Sequence, residues 1–212
     1  QIKSIIITGS NGSLGFELSK KLSKHNCNLF LHLRNKNKTV ESYFQNKKNV
    51  KFILGDIRNK NTLKKISQSI KLSKSSVLIN NCGKYLNKKF IKTNNEEIRE
   101  IFDVNFFSNI YLLKSILETK NKLLIVNINS VAGVNGSINE SVYSASKHAL
   151  KGFYESIELE TKKNIRFLNI FLGAFKSKMT KNRKNYKKLM EKNDLADLIS
   201  KNIDEYQSCS VN

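Results

Sequence analysis

Ser4-Ile5-Ile6-Ile7-Thr8-Gly9-Ser10-Asn11-Gly12-Ser13-Leu14-Gly15 is the stretch on which the fold turns. An apolar run ends in a Gly/Ser/Asn turn and passes straight into a pattern with Leu14, Leu18 and Leu22 four residues apart, while Lys20, Lys21 and Lys24 fall on the opposite side. That pattern predicts a strand from Ser4 to Thr8, a loop from Gly9 to Ser13 and an amphipathic helix. Glycines at 9, 12 and 15 let the backbone turn tightly, approach a pyrophosphate closely and pack the helix on the sheet. The helix N-terminus adds free N–H groups and a partial positive charge. A glycine triplet alone also occurs in ordinary strand-to-helix turns; the strand before it and the helix after it carry the dinucleotide reading.

The alternation continues outward. Strands are expected near Asn28 to Leu33, Val50 to Leu54, Ser76 to Asn80, Leu123 to Ile128 and Ile165 to Phe171. Helical patterns lie near Thr62 to Lys71, Asn95 to Lys120, Ser141 to Lys163 and Asp194 to Tyr206. Strands alternating with helices imply parallel pairing through right-handed crossovers, hence an α/β doubly wound sheet with helices on both faces. At 212 residues the chain is read as one domain, 1–212. The basic segment Lys176 to Lys192 reads as a surface loop or short helix. Ser208 to Asn212 reads as the start of a seventh strand that stops early, and the chain starts at Gln1, so the ends can be incomplete.

Composition bounds the function. The net charge is +21, from 38 Lys and Arg against 17 Asp and Glu. Of the 38, 33 are Lys and 5 Arg; Asn occurs 28 times, Ile 22 times and Pro not at all, the signature of an AT-rich coding bias. The lysines spread through nearly every segment instead of forming a stripe, which argues against nucleic acid as the partner. No apolar run reaches the eighteen residues of a bilayer span, so the expectation is a soluble, cytoplasmic protein with no membrane partner. Three cysteines at wide spacing and three histidines suggest neither a disulfide framework nor a metal site.

The chemistry-bearing residues follow the strands, where ligands of such sheets bind. Arg34, after the second strand, falls where the ribose of a dinucleotide would lie. An arginine there pairs with a 2′-phosphate, favouring NADP over NAD, which stays possible. Ser130 closes the fifth strand. Tyr143 and Lys147, four apart on the next helix, stand about 40° apart around its axis and one turn from each other. An ammonium beside a phenol favours the phenolate, bringing proton transfer within reach at neutral pH. Ser130 can donate to an oxygen on which negative charge develops.

Taken together, Thr8-Gly9…Gly12…Gly15, Asp56-Ile57, Asn80-Asn81-Cys82-Gly83, Asn105, Ser130, Tyr143…Lys147 and Gly173…Ser177 resemble, in order and approximate spacing, the short-chain dehydrogenase/reductase family, compact branch, over residues 3 to 206. The resemblance implies a Rossmann-type NAD(P)-dependent oxidoreductase that interconverts a carbonyl and an alcohol. It implies Tyr143 as general acid/base, Lys147 lowering its pKa and holding the nicotinamide ribose, Ser130 orienting the substrate oxygen and Asn105 holding a relay water. It places the cofactor on Gly9, Ser10, Asn11, Gly12, Ser13, Leu14 and Gly15, on Arg34, Asp56 and Ile57 at the adenosine, on Asn81, Cys82 and Gly83 near its ribose, and on Gly173 and Ser177 near the carboxamide. A homodimer or homotetramer is the expected assembly; helices Asn95 to Lys120 and Ser141 to Lys163 carry aromatic residues on more than one face, which points the same way.

The chain departs from the family pattern in four places. Gly12 holds the middle glycine position where the compact branch has its glycine at Ser13, Leu172-Gly173 stands for Pro-Gly, Ser177 for a threonine and Cys82 for an alanine. Cys82 reads as a small buried hydrophobe. His148 points about 100° away from Lys147; His25 and His32 have no nearby ligand set. Phe153 and Tyr154 read as core or subunit contacts, and Met179 as a border of the substrate site. Two alternatives stay open, a non-catalytic NADP-binding sensor or scaffold and a nucleotide-sugar epimerase or dehydratase. The substrate is a small carbonyl or alcohol of unread identity.

Overall fold

The computed structural model describes residues 2–177, 179–182 and 185–208, with the side chains of 206–208 excepted. Its strands are β1 (Ser4–Ile7), β2 (Asn28–Leu33), β3 (Val50–Leu54), β4 (Ser75–Asn80), β5 (Lys122–Ser130) and β6 (Ile165–Leu172). They form one sheet in the order β3-β2-β1-β4-β5-β6. Every pairing is parallel, with Ile7 level with Leu31 on one side and Ile79 on the other. The order reverses between β1 and β4, so the carboxyl ends of the strands open a crevice there, beside the glycine loop. The expected doubly wound α/β sheet is what forms.

The near-continuous apolar runs follow from burial on both faces. In β1, alternate side chains point to opposite sides. Ile5 and Ile7 join the core with Leu14, Leu18 and Leu22 of α1 (Ser13–Leu22) and Leu195, Ile199 and Ile203 of α7 (Lys192–Ser208). Ile6 joins the opposite core with Ile66 and Ile70 of α3 (Lys60–Lys71), Leu112 and Ile116 of α5 (Ser108–Ile116), and Leu150 and Tyr154 of α6 (Ser141–Glu160). No helix among the described residues is long and apolar enough to cross a membrane.

The structure corrects several expectations. A seven-residue helix, α2 (Lys38–Phe44), follows β2; Asn37 caps it by accepting from the Val40 N–H at 3.1 Å, and Val40 and Phe44 bury one face. The single helix expected over Asn95 to Lys120 is three segments: α4 (Asn95–Phe102), a π-helical turn at Asp103–Phe107, and α5. A π turn inserts one residue and re-aims the side chains after it. Helix α6 stops at Glu160, short of Lys163, where Thr161 turns extended. The Lys176 to Lys192 segment contains a 3-10 turn (Tyr186–Lys188) and is tied at its base by a Phe175–Met190 bridge and a Lys176–Glu191 ion pair. Ser208 belongs to α7, and the remainder of the expected seventh strand, 209–212, lies outside the described residues.

Candidate active site

The glycine loop is knitted to the end of β4. Thr8 Oγ1 donates to the Ile79 carbonyl (3.3 Å) and accepts from the backbone N–H groups of Asn81 and Cys82 (3.0 Å each). Asn81 Nδ2 donates back to the Thr8 and Gly9 carbonyls at 2.9 and 3.1 Å. Gly9 has φ +68°, a conformation that disfavours any side chain, and its missing Cβ would lie 3.0 Å from Cys82 Cα. A Cβ on Gly15 would come 2.3 Å from the Gly9 carbonyl oxygen, so the helix can start this close to the loop only as glycine. The crest of the loop, Asn11 and Gly12, is exposed and Ser13 half-buried, whereas Leu14 is buried in the core and Ser10 spends its hydroxyl on the Ile7 carbonyl. Gly12 caps α1 without a side chain, and there is no acid in the first turn. The early amides of α1 thus face a cradle open to an anion.

Beyond β2 and β3 lies a charge cluster. Asp56 accepts from Arg58 through Nε (2.9 Å) and Nη2 (2.7 Å), and its Oδ2 is 3.2 Å from Arg34 Nε. Arg58 above all holds the Asp56 carboxyl down to about 2, against the usual 3.8. Asp56, expected at adenine, is therefore the bridge between two guanidinium groups, and Arg34 does face an acid, one delivered by β3. Arg58 escaped the sequence reading; its signal is its place two residues beyond Asp56 at a strand end. Ile57 is buried in the core beneath them.

At the centre of the crevice, α6 presents Tyr143 and Lys147 on one face. Lys147 is 6% exposed, its Nζ lies 5.9 Å from the centre of the Tyr143 ring and reaches the Ile128 carbonyl at 3.4 Å. Burial pushes its ammonium from the usual 10.5 down to about 8. Gly83 leaves the space beside it: a Cβ there would sit 3.8 Å from Lys147 Nζ and 3.6 Å from Asn105 Oδ1. Asn105, in the π turn, accepts from the Lys84 N–H (2.7 Å) and donates to the Lys84 carbonyl (2.9 Å) and to Ser146 Oγ (3.0 Å). Its side-chain donors end on protein atoms, so Asn105 clamps the segment after β4 against α6. Ser130 Oγ accepts from the Ala132 N–H at 3.1 Å, a bond that does not use its hydroxyl proton. The turn after it packs on α6 so closely that a Cβ at Gly133 would be 2.8 Å from the Lys147 carbonyl oxygen.

Other expected residues are more peripheral. Cys82 is a neutral thiol pushed up to about 11 by burial. Asn80 turns away from the crevice, donating to the Tyr154 hydroxyl at 2.7 Å, and Tyr154 is a core residue. Gly173 has open space around it, and Ser177 is tied within its own loop to Thr180 (Oγ to Oγ1, 3.2 Å). His148 Nδ1 bonds to the Ser144 carbonyl on the exposed side of α6. Tyr85 went unread: its ring meets that of Tyr143 edge-on at 5.1 Å, and its hydroxyl donates to the buried Glu140.

Comparison with known proteins finds relatives over most of the chain. A family model described as short chain dehydrogenase matches residues 3–188. The chain is 32% identical over 200 residues to 3-oxoacyl-(acyl-carrier-protein) reductase FabG of Buchnera aphidicola subsp. Schizaphis graminum, covering 90% of this chain and 81% of that one. It is 27% identical over 190 residues to Dehydrogenase/reductase SDR family member 7 of Mus musculus, covering 83% of this chain but 56% of that longer protein. Among solved structures, a short-chain dehydrogenase from Sphingobium yanoikuyae in complex with NADPH superposes with TM-score 0.82 at 20% identity, covering 96% and 85% of the two chains. A 4-hydroxyisoleucine dehydrogenase complexed with NADH gives 0.81 at 23%, covering 93% and 89%. At these identities the structures speak for the fold.

Proposed function

The chain belongs to the short-chain dehydrogenase family, and on that premise we propose that it is an oxidoreductase that interconverts a small carbonyl and an alcohol, using NADP in preference to NAD. The observation that carries this reading is the buried Lys147 ammonium beside Tyr143, on a crevice that the glycine loop and Gly83 leave open. A burial this costly is rare without a partner that needs the charge.

The residues fit a dinucleotide. The Asn11–Ser13 crest and the uncapped start of α1 suit a pyrophosphate, and Arg34 with Arg58 suits a 2′-phosphate. The bound dinucleotide supplies the carbon that gives or takes the hydride. The protein's part is proton handling and orientation. Tyr143 gives its phenolic proton to the oxygen of the carbonyl being reduced, or takes it back from the alcohol. Lys147 favours the phenolate electrostatically and has donors left for ribose hydroxyls. The Ser130 hydroxyl donates to the same substrate oxygen. Asn105 keeps Lys84 and Ser146 in register, and with them Gly83 and the first turns of α6. Tyr85 forms a wall of the substrate site next to Tyr143.

The assembly we propose is a homodimer or homotetramer through α4, α5 and α6. Support comes from the stacked pair Phe107 and Tyr111 (6.0 Å, 18°), which is 40% and 57% exposed. The test of function is a fluorescence titration with NADPH and NADH, followed by a panel of carbonyl substrates. Binding of neither nucleotide defeats the proposal.

A further inference from the structure

We infer that His32 is a positioning residue for the dinucleotide: its neutral imidazole holds the glycine loop and the turn after β3 at one fixed spacing. The inference rests on the cofactor reading above.

His32 lies in β2 among Leu29, Leu31 and Leu33, all buried, where an apolar residue would fill the space without a hydrogen-bonding demand. It is 1% exposed, and a buried imidazole is tolerated only where both nitrogens find partners. Both do. Nδ1 accepts from the Gly9 N–H at 3.2 Å, and Nε2 lies 2.9 Å from the Gly55 carbonyl. The His32 backbone carbonyl takes the next loop amide, that of Ser10, at 2.9 Å. The partners dictate the tautomer. Gly9 can only donate and Gly55 can only accept, so the proton sits on Nε2, and an imidazolium would aim a second N–H at the N–H of Gly9.

The two partners begin the two halves of the proposed cofactor site. Gly9 (φ +68°) opens the loop whose crest faces the pyrophosphate, and Gly55 (φ +143°) precedes Asp56, which gathers Arg34 and Arg58. One ring therefore sets the distance between the pyrophosphate end and the 2′-phosphate end.

The surroundings favour the neutral ring. Burial lowers the pKa of His32 below the usual 6.5, against weaker opposing pulls from the bond to the Gly55 carbonyl and from Asp56. Asp56 is itself paired with Arg34 and Arg58. Cys82, after β4, is a neutral thiol, and Lys51 of β3 lies over the Phe30 ring. The buried face of α3 carries Thr62, Leu63, Ile66, Ser67 and Ile70, and the loop from Thr8 to Gly15 has no titratable side chain.

The experiment measures NADPH dissociation constants from pH 8 to 5.5 for the wild-type chain, His32→Asn and His32→Gln. Asparagine sets its carbonyl oxygen near the position of Nδ1 and keeps the acceptor for Gly9. Glutamine sets its amide nitrogen near Nε2 and keeps only the donor to Gly55. His32→Gln and His32→Asn are each expected to bind about tenfold more weakly at pH 7.5, since each keeps only one of the two anchoring bonds. At a pH low enough to protonate the buried ring the wild-type constant rises relative to that of His32→Asn; titration of the 2′-phosphate is common to both and cancels. Wild-type affinity at pH 7.5 in either variant overturns the inference. A wild-type chain that binds neither NADPH nor NADH overturns the cofactor reading and this inference with it. Should the variants not fold, nitrogen-15 spectra of histidine in the wild-type chain read the ring directly. The expected result at pH 7.5 is an unprotonated Nδ1 with the proton on Nε2, and a proton on Nδ1 refutes it.

Discussion

Replacing Lys147 by methionine removes the ammonium and keeps most of the side-chain volume, which separates what the charge costs the fold from what it does for chemistry. Burial lowers its pKa from 10.5 to about 8. At about 1.4 kcal/mol per unit, the charged form costs the folded state roughly 3 kcal/mol. The folded-state pKa lies below the unfolded one, so the unfolded chain binds the proton more tightly between pH 8 and 10.5. The penalty is therefore complete below about pH 8, shrinks as the pH rises and is gone above 10.5. Methionine removes it but leaves the Ile128 carbonyl without its 3.4 Å contact, a loss of about 1 kcal/mol. Lys147→Met should accordingly be more stable than wild type by about 2 kcal/mol at pH 7, with the gain closing toward pH 10.5. Urea unfolding at pH 7, 8, 9 and 10 measures it, beside an NADPH titration in which the variant should bind worse. A variant less stable than wild type at pH 7, or a gain that persists unchanged at pH 10, would show that the buried charge is not the cost described.

Tyr143→Phe should keep NADPH affinity within about twofold while lowering single-turnover hydride transfer by roughly 10²–10⁴; native turnover removes the tyrosine from proton transfer. Arg34→Asp places a second carboxylate beside Asp56 and should weaken NADPH by about 1–3 kcal/mol with little effect on NADH, measured by calorimetry; equal losses for both count against 2′-phosphate recognition. Gly15→Ala forces a Cβ to 2.3 Å from the Gly9 carbonyl and should cost about 1–3 kcal/mol in chemical denaturation, whereas Gly173→Ala, with open space around it, should stay within about 0.5 kcal/mol. Light scattering of the wild-type chain at micromolar concentration should give a dimer or tetramer, and Tyr111→Lys should shift it toward monomer; a wild-type monomer refutes the interface at Phe107 and Tyr111.

Local sequence determined the elements whose signal repeats within a window of ten or so residues. Ile5 to Ile7, Val77 to Ile79 and Leu123 to Val126 are apolar because a doubly covered parallel strand has no solvent side. Tyr143 and Lys147 meet because four residues make about one turn, whatever the rest of the chain does. A short helix such as α2, with only Val40 and Phe44 to bury, has too little periodicity to be seen. The π turn at Asp103–Phe107 has no local signal either, since Asn105 is held there by bonds to Lys84 and Ser146, 21 and 41 residues away. The order of the strands decided the rest. It is the pairing of β3 beside β2 that carries Asp56 and Arg58 to Arg34, and the placing of β1 on the other side of β2 that gives His32 a loop on each nitrogen. Arg34 and Asp56 are 22 positions apart and His32 is 23 from both Gly9 and Gly55, and these contacts form only when the sheet is assembled, so no pattern along the chain could record them; the Asp56–Arg58 pair, two residues apart, is local.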